Sequence, residues 1–429
     1  MTEWSTFRNN CLPLTSDIRI PASWGPSSHV KWRIELSGYG QSSPVSFGKY
    51  IYVTSVKGSQ RDHNVISCID SVTGKDIWMA KHETSLKHEM SYYVSRAAPT
   101  PICDESGVTT LFESGDIYAH DPKGKLRWSR SLSREYGMPS NEFGLGSSPT
   151  QTKTSVIIVR DDPSKSYICA LNKATGATIW KTDREPRKSW TSPIVVNIDG
   201  LDVVVISSNG DVDFYDAATG KMIGNFGGLR GNIMASCTSA GGDLLIGATS
   251  AQARLAKPSA RYSPTESNCC LSVRLVNGKV QSEVKWLGEN ALCDFASPVL
   301  SGKLAYYVTA SGIVHCVDKE TGKGVFAERI ETPCWASPIV QSDRILFFGK
   351  NGVTTALATG KTFRKLGAYS LWTEGNTPLT KEAFTNNSPG GRTAPPSGSN
   401  DSQDPIVYAA IATQMGLYMR TGSHLFCIA

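Results

Sequence analysis

Apolar positions along this chain come in short bursts of five to eight residues, dense in branched and aromatic side chains and broken by Gly, Asp, Asn and Ser. Tyr50-Ile51-Tyr52-Val53-Thr54, the run from Asp202 to Ser207 and the run from Leu304 to Thr309 are of this kind. Such bursts suit a pleated, half-buried surface and predict β-strands. The bursts recur in a unit. Each unit opens on a small residue and proline, at Ser43-Pro44, Ala98-Pro99, Ser148-Pro149, Ser192-Pro193, Ser297-Pro298 and Ser337-Pro338, with Ser236-Cys237 in a degenerate copy. Each closes on a hairpin signature, Cys68-Ile69-Asp70-Ser71-Val72-Thr73-Gly74-Lys75-Asp76-Ile77-Trp78 in the first, echoed from Ala170 to Trp180, from Phe214 to Gly224 and from Cys316 to Phe326. Asp or Asn bonds its own backbone at the start of such a turn, and Gly supplies the positive φ that the tight hairpin demands. Trp78, Trp128, Trp180 and Trp286 then fall at the end of an outer strand, where each can cover the seam to a neighbouring unit.

Seven openings and a tail from Val407 to Ala429 make eight units, the last one strand short. His29-Val30-Lys31-Trp32-Arg33-Ile34-Glu35-Leu36 precedes the first opening and reads like an outer strand. The pattern therefore predicts an all-β fold: an eight-bladed β-propeller of four-stranded antiparallel blades over residues 29–429, closed by the N-terminal strand completing the last blade. Closure removes the exposed sheet edges that invite aggregation. Residues 1–28 are an extension packing on the propeller, and the Pro, Gly and Ser rich stretch 386–404 is a flexible insertion.

Ser-Pro openings combined with Ala-x-Asp-x-x-Thr-Gly-Lys-x-x-Trp closings resemble the pyrroloquinoline-quinone-type repeat, the blade of quinoprotein alcohol dehydrogenases and of BamB-like outer-membrane assembly lipoproteins. The stretch Trp4-Ser5-Thr6-Phe7-Arg8, with Trp24, Val30-Lys31-Trp32 and Ser42-Ser43-Pro44-Val45, looks more specifically like bacterial propellers common in planctomycetes. The assembly-lipoprotein likeness implies a non-enzymatic scaffold with no cofactor. The dehydrogenase likeness implies, as the alternative, an oxidoreductase using pyrroloquinoline quinone with calcium.

Composition narrows the field. With 40% hydrophobic and 19% charged residues the chain is folded rather than disordered. A net charge of +6 over 429 residues, without a concentrated basic block, gives no footprint for nucleic acid. No run of about 18 apolar residues marks a transmembrane segment. Met1 to Asn10 lacks a signal peptide's pattern, so the chain as written reads as cytoplasmic; the resemblance implies a periplasmic or secreted protein if an export signal precedes it. Eleven cysteines, with Cys68, Cys316 and Cys427 at one repeat position on different units, read as small buried thiols. Nothing in the sequence sets the oligomeric state.

The loop from the second to the third strand and the loop from the outer strand to the next blade emerge on one face of a propeller. Every long insertion falls there: Lys57 to Asn64, His82 to Ser95, Ser133 to Gly146, Arg160 to Ser166, Ser250 to Asn268 and Trp372 to Gln403. Loops on a rigid scaffold concentrate binding residues. On this face the residue three before each opening proline should begin the innermost strand and line the channel mouth. These are Gln41, Arg96, Gly146, Trp190, Met234, Phe295 and Trp335, a mixture that a purely structural position would not show. A planar or sugar-like ligand could stack there, or the aromatics could plug the channel. Polar candidates from the insertions are His63, His82, His88, Tyr92, Tyr93, Arg134, Asn141, Arg160, Arg187, Arg254 and Arg261. The partner these residues fit is a protein, a peptide or a carbohydrate.

Other chemistry does not assemble. No Gly-x-Ser-x-Gly elbow marks a nucleophile, and no residue is assigned a catalytic role. Thr359-Gly360-Lys361-Thr362 mimics the end of a phosphate loop, but Thr355 stands where that loop needs its first glycine, so it is a hairpin turn. Scattered histidines without Cys-x-x-Cys give no metal site. Quinoprotein dehydrogenases place an adjacent cysteine pair against their cofactor; Cys269-Cys270 runs straight into a strand and reads as ordinary burial. A glycan-active enzyme, with two carboxyl groups about 5 to 10 Å apart in the funnel, is a third reading.

Overall fold

The computed structural model describes residues 3–15, 17–91, 94–250, 259–289, 291–381 and 405–429. Its strands form eight four-stranded antiparallel sheets. Among the described residues, helix is confined to Leu132–Tyr136 and to two 3-10 turns, Phe7–Cys11 and Glu374–Asn376. In seven blades the chain runs from the innermost strand outward, as in Val45–Phe47, Tyr50–Lys57, His63–Asp70 and Asp76–Glu83. The eighth departs from this order: Val407–Thr413, Gly416–Thr421 and His424–Ile428 are covered on the outside by Val30–Glu35, with Arg33 opposite Phe426 and Glu35 opposite His424. The eight-bladed ring closed by its own N-terminal strand is therefore present. The stretch 386–404 lies outside the described residues.

Two interactions, each repeated around the ring, hold neighbouring blades together. The first explains the hydroxyl in the openings. The backbone N–H of Ser43 donates to the Thr100 hydroxyl, Thr100 to Ser148, Ser148 to Ser192, Ser192 to Ser236, Ser236 to Ser297 and Ser297 to Ser337, all at 2.8 to 3.0 Å. Blade 2 opens on Ala98, which has no hydroxyl, and Thr100 just beyond its proline takes the place. Every member of this belt but the half-buried Ser337 is buried, so a lost acceptor would strand an amide away from water, at about 1–3 kcal/mol.

The second interaction lies at the periphery. The indole N–H of Trp78 donates to Pro122 O at 3.0 Å, Trp128 to Lys173 O at 2.8 Å, Trp180 to Ala217 O at 3.2 Å and Trp286 to Lys319 O at 2.7 Å. Each acceptor belongs to the hairpin turn of the following blade. That turn is set by its first residue: the Asp70 carboxylate accepts the N–H groups of Val72 and Thr73, and Asn172, Asp216 and Asp318 repeat the arrangement. Its glycine lies flat under the preceding blade's indole. A Cβ there would stand 2.6 to 2.7 Å from Trp32 at Gly74, Trp78 at Gly124, Trp128 at Gly176 and Trp286 at Gly322, and closer still to Trp180 at Gly220. The core is correspondingly divided seam by seam; Val205 and Phe214 of the fourth blade, for example, pack with Leu244 and Leu271 of the fifth.

The short-turn face is crossed by residues 3–24. Trp4 exchanges backbone hydrogen bonds with Ser46 of the first blade, and Ser5 O accepts from Cys103 of the second and Gln151 of the third. Asn10 bonds Val195 of the fourth through both ends of its amide. Arg8 donates to Cys237 O at 3.1 Å, the Thr238 hydroxyl at 2.5 Å and Pro298 O at 3.0 Å, joining the fifth and sixth. Gln341 and Arg344 of the seventh reach the carbonyls of Ile18, Ile20, Pro21 and Ala22, and Gln414 of the eighth bonds Asp17. The segment thus touches all eight blades. It does so at a conformational cost, because Arg8, Asn9, Asn10 and Cys11 all have φ between 49° and 64°, a left-handed run costing roughly 1–2 kcal/mol per non-glycine residue.

The seam glycines make a prediction. Gly176→Ala must both hold φ at 74° and displace the Trp128 indole, so it is expected to lower unfolding free energy by about 2–4 kcal/mol. Gly200→Ala, at φ 91° with open space around it, is expected to cost about 1–2 kcal/mol. Urea titration of the two variants checks the difference.

Candidate functional site

The face opposite residues 3–24 carries the loops between second and third strands and between successive blades. At its centre the approach segments before the inner strands meet. The residues three before the prolines lie in these segments rather than in the strands, whose first residues are Val45, Ile102, Thr150, Ile194, Thr238, Val299 and Ile339. The sequence reading put them at the strand starts; the strands begin later because the belt hydroxyls occupy the intervening positions.

On one side of the mouth the side chains form a continuous arc. Phe295, 39% exposed, has its ring centroid 4.9 Å from that of Trp335. Trp335 stands 6.2 Å from Tyr408, and the hydroxyls of Tyr408 and Tyr39 meet at 2.8 Å. The Arg96 guanidinium lies 4.4 Å over the Tyr39 ring, and its backbone N–H donates to the Gln41 side-chain carbonyl at 2.9 Å. Lys350 Nζ sits 4.1 Å over Trp335. Across the mouth, Trp190 donates from its indole N–H to Gly144 O at 2.9 Å and meets Phe143 edge to face. Lys188 sits 4.8 Å over Phe143. Gly146 lies against Trp190, where a Cβ would stand 3.2 Å from the ring. Met234 is half-buried between these groups' two flanking blades.

The structure brings together Phe295 and Trp335, and Gln41 and Arg96, and links them through Tyr39 and Tyr408. Arg96 is buried. The faces of Trp335 and Tyr39 are occupied by cations, so the mouth offers ring edges, the Phe295 face and ammonium groups. Sequence reasoning missed Tyr39, Tyr408, Phe143, Lys188 and Lys350. Tyr39 stands two residues before Gln41 and was open to the same reading, whereas Tyr408 and Lys350 belong to blades without a regular opening or to a turn with no motif.

Several polar candidates serve the scaffold. Arg160 donates to the carbonyls of Gly137 and Met138, and Arg187 is buried among Asp211 and Asp213. Arg184 bonds Asp161 and Asp213 at 3.1 Å each; burial opposes its charge, but the two carboxylates outweigh burial and hold its pKa above the ordinary arginine value. The Arg184 and Arg187 ion pairs fix the loop between the third and fourth blades, and Arg160 fixes the one between the second and third, so both candidates are spent on the scaffold. Asn141 is buried, its backbone N–H on Asp162. Arg134 is exposed on the short helix Leu132–Tyr136, His88 and Arg261 are exposed on separate loops, and His63 begins the third strand of the first blade. Tyr92, Tyr93 and Arg254 lie outside the described residues. His82 belongs to the seam between the first and second blades: its Nε2 lies 3.1 Å from Nε2 of His120, and its ring stacks on Tyr118.

Among the described residues no group of three or more His, Cys, Asp or Glu is placed to hold a metal ion. Cys269 and Cys270 are both free and fully buried, and strand alternation sends them into different apolar clusters. Neither faces the mouth as a cofactor platform would require.

Comparison with known proteins bears on the fold. Residues 23–145 and 63–226 match the family model described as outer membrane protein assembly factor BamB. No curated protein matches the sequence. The crystal structure of BamB from Moraxella catarrhalis superposes with a TM-score of 0.58 at 13% identity, over 92% of this chain and 95% of that one. The computationally designed Ika8 protein gives 0.54 at 11% identity, over 92% and 98%. A europium-containing methanol dehydrogenase gives 0.43 at 12% identity, over 83% and 89%. The family model matches somewhat less than half of the chain, and at these identities the likeness to solved structures shows the fold alone, an eight-bladed β-propeller. No helix among the described residues is long and apolar enough to cross a membrane.

The histidine pair makes a prediction. Burial pushes His120 down to about 4, with His82 acting in the same direction, and burial also lowers His82. An unfolded histidine titrates near 6.5. Both groups bind fewer protons folded than unfolded, so their contribution is complete above about pH 6.5 and is lost as pH falls towards 4. His120 alone carries on the order of 3 kcal/mol of this. Urea unfolding from pH 7 to pH 4 should show the loss, and His120→Gln should flatten it.

Proposed function

We propose that this chain is a non-enzymatic scaffold that binds a protein or peptide partner across its loop-rich face. The observation that supports this most directly is the mouth: Phe295 exposed beside Trp335, with Lys350 and Lys188 flanking, on the one face of the ring not crossed by residues 3–24. Aromatic anchors with a cationic surround are what a polypeptide partner exploits, since Trp, Tyr and Arg dominate interface energetics. A carbohydrate needs open aromatic faces to stack on, and here Lys350 and Arg96 cover two of them. The protein whose family model matches assembles outer membrane proteins by its description, and that description is consistent with a scaffold.

The test begins with a photo-crosslinking amino acid in place of Phe295, and a control at Lys303 on the opposite face, in cells that make the protein. A polypeptide joined from position 295 and not from 303 is purified and its affinity measured. Phe295→Ala and Trp335→Ala are each expected to weaken binding at least tenfold, about 1.4 kcal/mol or more, with little change in melting temperature. Saturable uptake of pyrroloquinoline quinone with calcium, accompanied by dye reduction, would instead make the chain an oxidoreductase.

A further inference from the structure

We propose that Cys11 and Cys237 are a thiol pair that closes to a disulfide and locks the N-terminal segment across the end of the channel. Ten of the eleven cysteines are buried inside blades; Cys11 alone is half-exposed, and it forms part of the wall of a cavity of about 330 Å³ with Trp4, Phe7, Arg8 and Tyr408. Cys237 stands where the other openings have proline, so the repeat supplies no structural reason for a thiol there. The Cys11 sulfur lies 3.8 Å from the Cys237 carbonyl oxygen, and both residues pack in the same apolar cluster. Arg8, three residues before Cys11, donates to that same carbonyl and to the Thr238 hydroxyl, and Asn10 is fixed to Val195. The backbone on both sides of the pair is thus held in place by bonds that do not involve either sulfur.

The accessible thiol reacts first. Cys11, as thiolate, attacks one sulfur of an external disulfide such as oxidised glutathione, whose S–S bond breaks to release one thiol. Cys237 then gives up its proton, attacks the Cys11 sulfur and expels the second thiol. Two cysteine thiols are oxidised and one small disulfide is reduced to two thiols, with protons and electrons balanced. Burial holds the Cys237 thiol up at about 12, so little of it is thiolate and the first attack falls to the accessible Cys11, while the second step relies on the closeness of the two residues. Once formed, the bond ties the left-handed turn at residues 8–11 covalently to the fifth blade. It would be closed in an oxidising compartment and open in a reducing one.

The test equilibrates the full-length protein with oxidised and reduced glutathione at several ratios, blocks free thiols, and maps peptides without reduction. The expected result is one peptide joining Cys11 to Cys237, with cleavage by trypsin after Arg8 slowed at least tenfold relative to the reduced protein. Cys11→Ser should abolish both effects while leaving the melting temperature of the reduced protein within a few degrees. Cys237→Ala, which keeps a small side chain in the core, should leave Cys11 carrying glutathione. Cys11 recovered from the wild type only as free thiol or mixed disulfide, or joined to a second copy of the chain, would overturn the proposal.

Discussion

A buried amide that must find an acceptor governs this ring. At the openings of the first six blades the chain turns toward the axis and a backbone N–H with no partner in its own sheet is taken by the next blade's hydroxyl. Each link contributes only about 1 kcal/mol on balance, but leaving one unmade costs more. The belt therefore sets the angle and spacing of successive blades more than it adds stability. The tryptophan-on-glycine contact does the same at the rim, where the indole cannot lie flat unless the next blade's turn carries no Cβ. With inner and outer edges both fixed, six seams hold an apolar cluster of their own and the seventh, eighth and first blades share one, so stability accumulates around the ring.

Between the last blade and the first the rule changes. Arg420 is fully buried and donates to Ser42 O at 3.0 Å, to the Ser42 hydroxyl, to Thr54 O at 2.5 Å and to the Ser55 hydroxyl at 3.3 Å. Among the described residues no carboxylate pairs with it. Burial pulls its pKa down to about 9, so the guanidinium is still charged at neutral pH and is held by neutral oxygens alone. A charge kept in the core on dipoles is costly, and the two terminal nitrogens carry all of its bonds, the buried Nε–H making none. Here one side chain bonds four groups of the first blade at once. Tyr39, Tyr408 and Arg96 are built onto this joint, so the arc at the mouth rests on the place where the two ends of the chain are sewn together.

The eight blades, the Asx turns, the tryptophan seams and the borrowed strand were legible because each is a local pattern repeated, and repetition separates signal from chance. The face bearing the long loops followed from topology alone. The mouth was half legible: Phe295 and Trp335 come together as neighbours in the repeat, while Arg96 turns inward to Tyr39. His82, Arg160 and Arg187 read as loop residues because their partners, His120, the carbonyls of Gly137 and Met138, and Asp213, lie in a neighbouring blade or in a loop more than twenty residues away. The course of residues 3–24 was beyond sequence reasoning, since Arg8 is held by residues about 230 and 290 positions away and no propensity foretells four consecutive left-handed residues.

That strained turn also divides the labour between the two faces. A segment that gives up several kcal/mol of backbone strain must recover it from bonds, and it does so by contacting every blade, which leaves the short-turn face little freedom to exchange those contacts for a ligand's. The loop-rich face has no such commitment. Its exposed ring, Phe295, and the Lys188 ammonium over Phe143 make contacts that are individually weak and can be traded for those of an incoming side chain at little cost, whereas Arg96 and Lys350 are buried behind them. On the proposed reading, a ring rigid at its rim, tied at one end and loosely dressed at the other is suited to hold a partner's chain in a fixed orientation.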